Sequence, residues 1–117
     1  MSEKAQHLND IVARTAGEAL TRSLGGSDFL VTVEGAQVSP NRSSARIFVR
    51  VLPKEQEEAA AIAVRRALPA VQRYMNERLR MRHVPRVQFE VEHEGEGVGE
   101  TKRLLDELGE KYGDDAI

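Results

Sequence analysis

Residues 65–86 contain seven arginines, Arg65, Arg66, Arg73, Arg78, Arg80, Arg82 and Arg86, with Glu77 the single acidic residue among them. A guanidinium is a planar fork of donors that grips phosphate oxygens in pairs and keeps its charge at any physiological pH. Phosphate is therefore the expected ligand. Arg46 and Arg50, on the outward side of an expected strand, are secondary candidates for the same role. Folded RNA is recognised mainly through backbone, 2′-hydroxyl and shape, which a rigid basic face can do with few aromatic rings. Tyr74 and His83 are the π-faces within the cluster, too few for the stacking platforms that single-strand binders use. Within the cluster, Arg73, Arg78, Arg80 and Arg86 are the expected contacts. Arg82 falls near an apolar stripe, where its stem would cover core.

Other chemistries find less support. His7, His83 and His93 have no metal-ligand spacing, and with no cysteine in the chain a zinc site would need carboxylates brought in by the fold. No metal or cofactor is expected. His93 lies between Glu92 and Glu94 with no nucleophile paired to it, so an enzyme is not expected. The glycines at 95, 97 and 99 do not follow a strand and open a helix inside a βαβ unit, as a dinucleotide loop must. They read as a joint, and Ser39 and Thr101 as turn and cap residues.

The basic cluster is surprising in a chain of formal charge −2, until charge is counted by segment. Residues 1–63 carry seven basic and eight acidic groups, residues 64–86 seven and one, and residues 87–117 three and ten. So sharp a partition points to one face for an anionic partner and another that stays solvated. The competing explanation is internal pairing of the arginines with the acidic C-terminal segment. At 117 residues, with 40% apolar and 31% charged residues, the chain suits one globular domain. No run approaches the roughly 20 apolar residues of a membrane span, the N-terminal residues lack a secretory pattern, and the missing cysteines suit a reducing compartment. A cytoplasmic monomer is expected.

Hydrophobic spacing supplies the elements that must carry these residues. Leu8, Ile11, Val12, Ala16, Ala19, Leu20 and Leu24 recur at helical intervals before Gly25 and Gly26. Residues 29–38 read as a strand with a bulge at Gly35, residues 39–43 as a turn, and residues 45–52 as an alternating strand that pairs antiparallel with the first. Residues 54–67 are strong helix formers. Pro69 cannot continue a helix regularly but opens one well, so a break is expected at Ala67, Leu68 and Pro69. A second helix should then run on to Val84 and Pro85, before a strand over Val87, Phe89 and Val91. Leu104, Leu105 and Leu108 suggest a short helix beyond. The result is an α+β fold, helix-strand-strand-helix-kink-helix-strand, a three-stranded sheet with helices on one face in the order of a type II KH domain. Residues 1–93 would form this domain and residues 94–117 an acidic, glycine-containing extension.

The segments VEGAQVS (33–39), ARIFV (45–49) and LRMRHVP (79–85), in this order and spacing, resemble the ribosome-binding factor A family. The resemblance runs from about residue 7 to residue 108. It implies a KH-like fold in which an interhelical kink replaces the Gly-x-x-Gly loop, with Ala67, Leu68 and Pro69 where the family usually shows Ala-x-Gly. Lys4 and His7 stand where the family tends to carry two arginines, and Gly25, Gly26 and Ser27 where it carries Asp-Pro-Arg. The resemblance further implies a non-enzymatic factor that binds the immature 30S small ribosomal subunit and assists late 16S rRNA maturation, including 5′-end processing. A GTPase that promotes release is a partner left open. Two alternatives stand beside it: a general KH-like RNA-binding module without ribosomal specificity, and a protein-interaction adaptor.

Overall fold

The computed structural model describes residues 3–92. The short helix expected near Leu104, the glycine joint, His93 and Thr101 lie outside the described residues.

Helix α1 spans Glu3–Leu24 and stops where Gly26 takes a positive φ of 86°, a conformation glycine adopts without steric cost. Strand β1, Leu30–Val38, pairs antiparallel with β2, Ser44–Leu52, and β2 pairs in parallel with β3, Arg86–Val91, giving a three-stranded sheet in the order β1-β2-β3. The expected bulge is present: Val33 sits opposite Val49, but Gly35 opposite Phe48. Glu34 is the extra residue, and it changes the parity of the strand. Val31 and Val33 before it, and Ala36 and Val38 after it, all oppose the odd-numbered core residues of β2, from Val51 to Ala45. Without that extra residue, half of β1 would turn its apolar side chains to water.

A parallel β2–β3 pair requires a long crossover, supplied by a 3₁₀ turn at Lys54–Gln56 and helix α2, Glu57–Arg78. Here the structure departs from the expected pair of helices. One continuous helix runs through Pro69, so the position expected as a break between elements lies inside a single one. Proline in a helix interior costs about 3 kcal/mol. Burial of Val64, Val71 and Met75 on the two sides of it contributes roughly 2 kcal/mol each. Burial outweighs the lost hydrogen bond. Pro69 itself is exposed, while Ala67 and Leu68 pack partly against the core.

The second departure is the end of α2. The helix stops at Arg78, where Leu79 turns extended (φ −83°, ψ 129°) and buries its side chain. From there the chain alternates: Leu79 and Met81 face inward and Arg80 and Arg82 outward. Pro85 and Val87 are buried and Arg86 is exposed. Arg80 and Arg82 are therefore not helical residues, and Arg82 is exposed rather than laid on the core. The core itself joins Val12, Ala16 and Leu20 of α1 and Val64, Val71 and Met75 of α2 to Ile47, Val49, Val87 and Phe89 of the sheet.

Candidate nucleic-acid interface

The segment between α2 and β3 is anchored from two sides at its β3 end. Gln72, on α2, accepts a hydrogen bond from the Val87 amide (3.0 Å) and donates one to the Pro85 carbonyl (3.0 Å), as a neighbouring strand would. Its amide also reaches Asn76 Oδ1 at 3.2 Å. On the other side, the Arg86 amide donates to the Ser43 carbonyl at 3.0 Å, so β3 begins against the base of the β1–β2 turn. Arg86 projects from a backbone that is held rather than loose, and Arg80 and Arg82 follow the buried Leu79. Fixing the chain beforehand lowers the ordering cost when a ligand binds.

Arg66, Arg73, Arg80, Arg82 and Arg86 are all exposed, and among the described residues none of them is held in a salt bridge. Arg78 lies over the ring of Tyr74, 4.7 Å from its centroid. Arg22, from the last turn of α1, approaches the same ring at 5.4 Å, and the Tyr74 hydroxyl is 3.2 Å from Glu18 Oε1. Two guanidiniums thus share one aromatic ring. Arg22 belongs to the basic surface, although nothing in its local sequence signals this, because the ring that links it to Arg78 sits on the other helix. Arg65 is half-buried on α2.

Arg46 and Arg50 lie on the sheet face opposite the helices. Arg46 donates through Nε and Nη2 to the two carboxylate oxygens of Glu90, the latter at 2.8 Å, and its guanidinium lies 5.1 Å from the centroid of Phe48. Glu90 is only 4% exposed. The hydrogen bond and charge of Glu90 raise the Arg46 pKa above its ordinary value, with burial opposing. Arg50 pairs through Nε with Glu34, the bulge residue, at 3.0 Å. Each of these arginines already has a carboxylate partner, unlike those of the 79–86 segment. Arg86 shares their face by register, since it opposes Ser44.

No described group of three histidine, aspartate or glutamate side chains could hold a metal ion. An open groove between α1 and β1, lined by Asp10, Arg14, Gly17, Thr21, Thr32 and Glu34, carries both signs of charge and contains none of the expected arginines. No described helix is long and apolar enough to cross a membrane.

A family model described as ribosome-binding factor A matches residues 4–105. The chain belongs to the ribosome-binding factor A family. Factors of this family are non-catalytic. The chain is 31% identical over 94 residues to ribosome-binding factor A of Magnetococcus marinus, covering 80% of this chain and 71% of that one. It is 34% identical over 85 residues to that of Rubrobacter xylanophilus, covering 73% and 70%. The crystal structure of ribosome-binding factor A from Thermus thermophilus superposes with a TM-score of 0.63 at 27% identity, covering 74% of this chain and 93% of that one. A homology model of the same Thermus factor, fitted into a cryo-electron microscopy map of its complex with the 30S subunit, gives 0.66 at 27% identity, covering 79% and 99%. The helix-strand-strand-helix-strand order and mixed sheet are those of these structures, the type II KH arrangement.

Proposed function

We propose that this chain binds the immature small ribosomal subunit through the phosphate backbone of its rRNA, and that it assists late 16S rRNA maturation, including 5′-end processing. The observation that carries the binding surface is the exposure of Arg80, Arg82 and Arg86 between the buried Leu79, Pro85 and Val87. Arg66, Arg73 and Arg78 of α2 extend the same charge. Membership in the family supplies the ribosomal context, since the Thermus relative was fitted in a 30S complex. Arg46 and Arg50 are held by carboxylates on the sheet face opposite the helices and Arg65 is half-buried on α2, so these three contribute least to the contact. The chain acts as a cytoplasmic monomer by occupancy: a rigid basic face holds RNA in one arrangement until maturation, helped by a release GTPase, displaces it. Residues 1–93 form the binding domain and residues 94–117 an acidic extension.

Sedimentation tests this. The protein is expected to travel with free small subunits and not with translating ribosomes. Replacing Arg78 and Arg80 with glutamate should abolish co-sedimentation while leaving the circular dichroism spectrum intact. Equal affinity for unrelated RNA duplexes would instead support a general RNA-binding module. Binding that does not weaken with salt would remove phosphate recognition altogether, because each phosphate contact must release counterions.

A further inference from the structure

The turn between β1 and β2 contains Arg42, the one non-glycine residue with positive φ among those described, at 61°. An L-residue here brings its Cβ too close to the following carbonyl, and glycine would relieve that strain. The turn is braced around it. Ser39 Oγ accepts from the amides of Ser43 and Ser44, both at 3.1 Å, and donates to Asn41 Oδ1 at 2.8 Å. Asn41 Oδ1 also receives the Ser43 hydroxyl at 2.8 Å. The Arg42 amide donates to the Ser39 carbonyl at 2.8 Å. All these bonds use the backbone of Arg42 or the side chains of its neighbours; its guanidinium is left exposed at the tip. A residue that contradicts the local backbone preference, its side chain in no hydrogen bond or ion pair among the described residues, is the pattern expected of a functional position.

Its location supplies the function. The carbonyl of the next residue, Ser43, accepts the Arg86 amide at 3.0 Å, and Ser44 is the register partner of Arg86. The tip is thereby fastened to the end of the segment that carries Arg80, Arg82 and Arg86. We propose that Arg42 is a phosphate-contacting residue of the RNA interface, presented by this braced turn as an extension of the 79–86 segment. The inference rests on the RNA-binding function proposed above and adds the β1–β2 turn to its footprint.

Arg42→Gly separates binding from folding, because it removes the charge and relieves the backbone at once. The variant should melt a few degrees higher, since roughly 1 kcal/mol shifts a domain of this size by about 4–8 °C. In fluorescence anisotropy with a short RNA duplex, its affinity should fall several-fold at low salt, and the slope of log affinity against log salt should shrink by about 1. Arg42→Lys should restore most of the binding and the slope. Unchanged affinity and slope in Arg42→Gly, with Arg80→Glu still impaired, would overturn the role of Arg42 and leave the proposed function standing. Salt-independent binding by the unmodified protein would overturn both.

Discussion

Gln72 and Val87 are joined across the domain by a side chain acting as a backbone: the Gln72 amide meets the Val87 N–H at 3.0 Å and, with its other end, the carbonyl of Pro85. The helix that crosses the sheet is thus tied to the first residues of the strand that follows it. Gln72→Met keeps the volume and deletes both bonds, leaving two partly buried backbone groups without partners. The expected loss is about 2 kcal/mol, read by urea denaturation. Amide exchange at Val87 should accelerate even where the rest of the sheet stays protected, and RNA affinity should drop because the arginine-bearing segment is no longer fixed.

Arg46 and Glu90 respond differently to mutation. Arg46→Met leaves the Glu90 carboxylate, 4% exposed, without its charged partner. Because Arg46 is partly open to solvent, the expected cost is roughly 2 kcal/mol rather than the full penalty of a broken buried pair. The double variant Arg46→Met with Glu90→Met should recover much of that loss, and a double-mutant cycle measures the coupling. An arginine with a raised pKa contributes its full stabilisation below its unfolded pKa and loses it only as pH rises through the folded value. The contribution of this pair should therefore be flat from mildly acidic to moderately alkaline buffer. RNA affinity per folded molecule should change little.

Pro69→Ala restores a helical hydrogen bond in α2. The helix gains up to about 3 kcal/mol, offset in part because the unfolded chain also becomes more flexible, by about 1 kcal/mol. Net stabilisation of about 1–2 kcal/mol is expected in equilibrium unfolding. Unchanged or lower stability would mean that the exposed ring makes compensating contacts.

Charge removal at the interface should be graded. Arg80→Gln, Arg82→Gln and Arg86→Gln are each expected to flatten the salt dependence of RNA binding by about 0.9 per lost phosphate contact on a duplex. Arg50→Gln, whose parent side chain is paired with Glu34, should leave that slope nearly unchanged.

What the sequence makes legible is what local spacing decides. The apolar repeat from Leu8 to Leu24 becomes α1, Gly35 marks the register shift, and the alternation of residues 45–52 becomes β2. Four features escape it. Pro69 obeys a local rule that loses to burial of residues on either side of it, and burial is not a local quantity. Residues 79–82 satisfy both a helical stripe and a strand alternation; the choice falls to Leu79, which turns extended and buries its side chain. Arg46 looks like an outward cation until the fold brings up Glu90, 44 residues away. Arg22 joins the basic surface only through Tyr74, on the other helix.

Glu34 behaves as a parity bit in the wiring of the sheet. Since it reverses which side of β1 faces the helices, inserting or deleting one residue between Val33 and Ala36 would invert half of the strand, whereas a change of two would keep its sense. The same carboxylate receives Arg50, so the residue that sets the count is also fastened to the neighbouring strand. For anyone re-engineering this domain, spare length belongs outside β1, because within that strand its arithmetic is odd or even and nothing between.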